Sequence, residues 1–286
     1  MKKIISLLSV MCFIFLLSGC SLLNDKLENS TIYVTNYPIK YLLEVFYKDH
    51  ANIVSIYPAD ADTTTYQLTD KQIKDYSKGS MFVYNGLSDD KKLAKEFLAK
   101  NKNILISDVS YGLSIQNSFE ELWLSPNNYL MLAKNVRESF REYLNNTTVI
   151  EEIDKRYNKL AETLSIMDAD LRSIGELAKS KNKNIILGSS KAYKFLDNYG
   201  FTVISLDDEA YKNESGMNTI KNNYKNNKYS ALIYESSKDS ELVASLLSSN
   251  ASKGIVLSKM TNGIPSDDYL NVLQQFINTL RNTISN

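Results

Sequence analysis

Histidine is almost missing from this sequence of 286 residues, which has only His50. Cysteine occurs twice, at Cys12 and Cys20, and tryptophan once, at Trp123. Each scarcity excludes something. No HExxH pair can hold a catalytic zinc, and no Ser-His-Asp set is visible. No glycine-rich loop cradles a phosphate. With a single imidazole the chain reads as a non-enzyme, carboxylate-only chemistry being the one catalytic option left. An excess of charge is missing too, with 33 basic against 33 acidic residues. That balance leaves no electrostatic footprint for nucleic acid.

What is present begins at the N-terminus. Lys2 and Lys3 precede an apolar run from Ile4 to Leu17, too short and wrongly flanked for a stable span. The run ends Leu17-Ser18-Gly19-Cys20, which resembles a bacterial lipobox whose cysteine is lipidated and becomes the first mature residue. An ordinary signal peptide with an incidental cysteine is the alternative. Cleavage at residue 19 removes Cys12, so Cys20 stands alone and no disulfide is possible within a monomer. It also takes the basic count from 33 to 31, for a charge of −2. An acyl anchor such as palmitate on Cys20 ties an otherwise soluble, monomeric body to a membrane face. Residues 20–30 read as a flexible tether.

About 267 residues follow, enough for one large or two modest lobes. Apolar, β-branched runs at 31–35, 52–58, 81–86 and 103–109 are expected strands. Segments of helical period separate them, including a Thr69-capped helix stopped at Gly79. Ser125-Pro126 opens a further helix that runs to about Leu144. Next comes a long segment, Val149 to about Lys179. Its apolar positions are Ile150, Ile153, Tyr157, Leu160, Leu164, Met167, Leu171 and Ile174, with no proline and no glycine before Gly175. This predicts one amphipathic helix of about 45 Å; two shorter helices broken near Asp168–Asp170 are the alternative. Strands at 184–188, 201–206, 230–235 and 254–258 then alternate with helices near 190–198, 216–226, 238–248 and 266–284. The expected fold class is α/β: two parallel-sheet lobes, 31–148 and 183–286, bridged by a helix at 149–182. A ligand cleft between the lobes, beyond the strand carboxyl ends, follows from that design. A lone helix as the only crossing predicts small closure motions.

Several segments, in order, resemble one known family. They are "VTNYPIKYLLEVF", "TTTYQLTDKQIKDYSKGSMFVYNGL", "LWLSPNNYLMLAKNV", "SSKAYKFLDNYGFTVISL" and "YLNVLQQFINTL". With the lipobox and the linking helix, they are similar to the zinc/manganese-binding solute-binding lipoproteins of ABC importers. The resemblance covers essentially the whole mature chain. It implies an extracytoplasmic, membrane-anchored protein that delivers cargo to a permease and its ATPase. In that family three interlobe histidines and a carboxylate usually hold the metal. Here, aligning on Tyr66 puts Thr64 at the first ligand position, and aligning on Trp123 puts Glu121 at the second. Aligning on Tyr199-Gly200 puts Ser189 at the third, and the fourth falls at Ser258. The family's histidine-rich loop is absent. The implied site is therefore degenerate, with weak binding of a divalent ion (Zn or Mn).

Glu121 has two readings, a metal ligand or a loop carboxylate near a helix N-terminus. Trp123 is expected to pack the base of the cleft, with Tyr66 as a further lining candidate. Asp60 and Asp62 share the loop of the first ligand position; they are either oxygen ligands favouring a harder ion or ordinary loop filling. Glu235 ends a strand at the cleft, and Asp207, Asp208 and Glu209 follow another. His50 closes the first helix as a surface residue. The alternative functions keep the scaffold for a non-metal ligand, or for a surface interaction module outside transport.

Overall fold

A computed structural model describes residues 25–58, 61, 63, 65–263 and 268–286. The expected leader 1–19, Cys20 and its acylation, and Asp60, Asp62 and Thr64 lie outside the described residues. No helix among the described residues is long and apolar enough to cross a membrane.

The eight expected strands all form. In the first lobe β1 (Thr31–Val34), β2 (Asn52–Ser55), β3 (Met81–Tyr84) and β4 (Leu105–Asp108) make a sheet of order β2-β1-β3-β4. In the second, β5 (Ile185–Gly188), β6 (Thr202–Ser205), β7 (Leu232–Tyr234) and β8 (Gly254–Val256) make the order β6-β5-β7-β8. Every pairing is parallel, so crossovers cover both faces and the strands bury both. The period of two is visible in the packing. Met81, Val83, Ile186 and Ile233 point into a core continuous through both lobes. Phe82, Leu187 and Leu232 point the other way, into outer clusters closed by Phe97 in one lobe and by Tyr224 and Leu246 in the other.

The helices follow in chain order: α1 (Tyr37–Tyr47), α2 (Asp70–Tyr76), α3 (Asp90–Lys100), α4 (Glu121–Leu124), α5 (Pro126–Tyr143), α6 (Thr147–Ser180), α7 (Glu214–Lys225), α8 (Glu241–Ser249) and α9 (Tyr269–Ser285). The unbroken reading of the long segment holds, since α6 is a single helix of 34 residues, about 51 Å long. Asn146 caps it by accepting from the amides of Thr148 and Val149. Ile153, Leu160, Leu164, Leu171 and Ile174 line its buried stripe. The segment expected as a helix at 190–198 is instead a 3-10 helix, Lys191–Tyr199, ended by Gly200 at φ 90°.

Two expectations change. The first concerns the tether, whose described part is packed. Leu27 is fully buried, and the Asp25 carboxylate accepts from the Asn145 and Asn146 amides at 2.7 and 3.0 Å, ahead of α6. The second concerns the crossings, because α6 is not the only one. After β8 the chain returns to the first lobe. The indole of Trp123 donates to the Lys259 carbonyl at 2.7 Å, and the Tyr37 amide to the Thr261 carbonyl at 3.0 Å. Tyr269, fully buried at the start of α9, packs at a tilt against Tyr129 with ring centroids 4.3 Å apart and donates its hydroxyl to the Trp123 carbonyl. A buried tyrosine needs a partner for its hydroxyl, and here the first lobe supplies it.

Asp90 opens α3 and is held by the Tyr57 hydroxyl at 2.8 Å and the Ser88 hydroxyl at 2.7 Å. Burial pushes its carboxyl above the ordinary value, against the opposing bonds from Ser88 and Tyr57. For an acid raised on folding, the native state holds its proton more tightly. That contribution is present below the unfolded pKa and is lost as pH rises through the folded one. Asp90→Asn should therefore gain relative to the parent between about pH 4 and pH 7. Melting temperatures of both at the two pH values check this; a variant that loses ground as pH rises contradicts it.

Candidate functional site: the interlobe cleft

The cleft is built from loops that leave the carboxyl ends of strands in both lobes. Thr63 follows β2, Glu120 follows β4, Glu235 follows β7, and Ser258 to Gly263 follow β8; together they line a cavity of about 290 Å3. That is room for on the order of ten waters, far more than a bare ion occupies. Among the described residues the donors are oxygen: two carboxylates, the hydroxyls of Thr63, Ser258 and Thr261, and the side-chain amide of Asn262. Among the described residues one cation, Lys259, shares the wall.

Glu235 is the hub on the second lobe. Its Oε1 accepts from the Ser258 hydroxyl at 3.0 Å and the Lys259 amide at 2.9 Å, and its Oε2 lies 3.7 Å from Lys259 Nζ. The Met260 amide donates to Ser258 Oγ at 3.1 Å, with Met260 itself in the left-handed region at φ 56°. On the first lobe, the Ser118 hydroxyl donates to Glu120 Oε2. Burial pushes the Glu120 carboxyl above its ordinary value. A backbone hydrogen bond and the Lys259 charge oppose that rise, while Glu235 and Asp207 reinforce it.

The residues expected at the ligand positions, or as further lining of the cleft, scatter. Ser258 and Glu235 line the cavity; Glu121, Ser189, Tyr66 and Trp123 do not. Glu121 is 3% exposed, and its Oε1 accepts the amides of Gln116, Asn117 and Ser118 at 2.6, 2.7 and 3.2 Å. Three consecutive N–H groups form an anion-binding nest, and the side chain is spent on closing its own loop. The carboxylate facing the cavity is that of Glu120, one residue earlier. Ser189 donates to Asp239 Oδ2 at 2.7 Å, an oxygen that also accepts the Glu235 amide at 3.0 Å. Tyr66 accepts from Gln72 Nε2 at 3.0 Å and packs edge-on against Tyr57. Trp123, 2% exposed, is joined to the cleft wall through the Lys259 carbonyl. Asp207 accepts from the Lys191 amide, Asp208 pairs with Lys191 and Glu209 with Lys212. His50 lies against Tyr47 and 3.5 Å from Glu152, on α1 and α6. Among the described residues no three His, Cys, Asp or Glu side chains gather as a metal site.

Sequence reasoning missed Glu120 and Lys259. The signal for Glu120 was the acidic pair itself. Nothing local announced Lys259, whose placement depends on the turn at Met260.

Comparisons with known proteins agree with this architecture. The sequence matches the family described as ZnuA, zinc-uptake complex component A, periplasmic, over residues 32–283. A search of curated proteins finds no match. Among solved structures, the metal-dependent lipoprotein YcdH of Bacillus subtilis superposes with a TM-score of 0.71 at 18% identity, covering 88% of this chain and 98% of that one. The Zn(II)-bound ZnuA-like domain of Streptococcus pneumoniae AdcA gives 0.71 at 19%, covering 90% and 100%. A ZnuA crystal structure gives 0.69 at 16%, covering 89% and 99%. At such identities the structural likeness speaks for the fold.

Proposed function

The chain belongs to the ZnuA family of periplasmic zinc-uptake components, and from that membership we propose that it is the solute-binding protein of a metal-type ABC importer. In this reading Cys20 carries the lipid anchor on the outer face of the cell membrane. The folded body, with its linking helix at Thr147–Ser180, presents cargo to a permease and its ATPase. The cargo is a divalent ion held weakly between the lobes. The supporting observation is the convergence of Glu120, Glu235 and Ser258 on one cavity at the strand carboxyl ends.

The donor set decides how tightly. Zinc sites of high affinity use imidazole or thiolate nitrogen and sulfur, with four positions filled. Oxygen donors suit harder ions such as Mn(II). Purified protein should hold no stoichiometric zinc after mild chelation, and millimolar Mn(II) should raise its melting temperature, because a ligand of the folded state stabilises it by mass action. Glu120→Gln should weaken that response at least about tenfold, through the loss of an anionic donor. One zinc per chain surviving chelation, or an unchanged response in Glu120→Gln, contradicts the reading.

A second reading keeps the scaffold and changes the cargo to a small organic or metal-chelate ligand. The 290 Å3 cavity and the ammonium of Lys259 favour it. A melting-temperature screen that responds to such ligands and to no metal ion would select it.

A further inference from the structure

The lysine in the cleft wall has no role in a site meant to hold a cation, and its surroundings give it one. Lys259 is fixed at both backbone groups: its amide donates to Glu235 Oε1 at 2.9 Å and its carbonyl accepts the Trp123 indole at 2.7 Å. The next residue, Met260, is 1% exposed and in the left-handed region at φ 56°, where a non-glycine side chain is uncommon. That conformation persists because its surroundings over-determine it: the Met260 amide binds Ser258 Oγ, and the Thr261 carbonyl accepts the Tyr37 amide. The backbone therefore cannot carry Lys259 away from the cavity without breaking the contacts that join the lobes. Its Nζ lies 3.7 Å from Glu235 Oε2, and it lines the same cavity as Glu120. One ammonium thus stands in the wall of a cavity that the carboxylates of Glu120 and Glu235 also line.

We infer that Lys259 is a specificity-determining residue that acts as a built-in counter-ion, occupying electrostatically the place of a metal and making any divalent ion compete with it. A lysine ammonium is a compact charge with three donors and no acceptor, so it satisfies carboxylates yet cannot ligate a cation. Its repulsion of a doubly charged ion is twice its repulsion of a singly charged one at the same distance. The inference rests on the proposed cleft site, and it explains weak metal binding by an added cation as well as by absent imidazoles.

The test titrates MnCl2 and ZnCl2 separately into the parent protein, Lys259→Met and Lys259→Arg. Calorimetry measures affinity, and fluorescence of the lone Trp123, bonded to the Lys259 carbonyl, reports on the segment itself. Lys259→Met should bind at least about tenfold more tightly than the parent, and Lys259→Arg, which keeps the charge, should stay within about threefold of it. A role confined to packing would not separate methionine from arginine in this way. Lys259→Gln serves the same purpose should the methionine variant fail to fold. Equal affinities for the parent and the neutral variants overturn the inference, as does a neutral variant that binds neither ion. The cargo reading is judged on the parent alone. A silent parent with a responsive Lys259→Met sinks that reading and keeps the counter-ion; a responsive parent with an unchanged variant does the reverse.

Discussion

Glu121→Ala should destabilise the metal-free protein by about 3 kcal/mol or more, before any ligand is added. Three backbone amides converge on one carboxylate oxygen at 2.6, 2.7 and 3.2 Å, in a site where the side chain is 3% exposed. Hydrogen bonds to a charged group contribute about 1.5–3 kcal/mol each, and alanine takes the shared acceptor from all three donors at once. At about 2–4 °C per kcal/mol for a chain of this size, the melting temperature should fall by roughly 6–12 °C. Glu121→Gln, which keeps an acceptor but loses the charge, should fall less. The competing role, a ligand aimed into the cleft, makes the opposite forecast: unchanged stability without metal and a large loss of metal affinity. Thermal melts of chelated protein separate the two.

The second large effect sits where α6 meets the second lobe. A Cβ on Gly175 would lie 1.6 Å from the carbonyl oxygen of Tyr199 and 2.8 Å from its carbon. The obstacle is backbone at the end of the 3-10 helix, so no side-chain rotation relieves it. Alanine in a helix interior is ordinarily better than glycine by up to about 1 kcal/mol. Overpacking costs about 1–3 kcal/mol and sometimes more, so Gly175→Ala should come out destabilised by about 2 kcal/mol. The displacement would also pull on the Tyr199 hydroxyl, which binds Asp168 on α6 at 2.7 Å and Ser125 at the start of α5 at 3.2 Å. That node ties both lobes to the long helix. A variant as stable as its parent in chemical denaturation would show that the helices separate there without cost.

The fold was legible because its determinants are local and periodic. The strands are short runs of β-branched and aromatic residues between turn residues, and the stripe from Ile153 to Ile174 fixes α6 without reference to anything else. The 3-10 form of Lys191–Tyr199 was not legible, since its apolar spacing suits either helix and the close approach of α6 at Gly175 is a tertiary fact. The site was legible only to within a residue. The sequence marks an acidic pair before Trp123, but which carboxylate turns inward depends on the short helix α4, whose four residues are all buried and carry Glu121 with them. The return of the chain at Lys259–Asn262 was hidden for a similar reason: it is made by backbone carbonyls and amides, which every residue possesses.

The central claim is that cargo binds between the lobes, among oxygen donors at the carboxyl ends of both sheets. Anomalous diffraction from crystals of the protein grown with millimolar Mn(II) tests it most directly. An anomalous peak is expected inside the cavity bounded by Glu120, Glu235 and Ser258, absent from Glu120→Gln crystals. A peak seated only at the Glu121 loop or on the outer surface, with the cavity empty of metal, would contradict it.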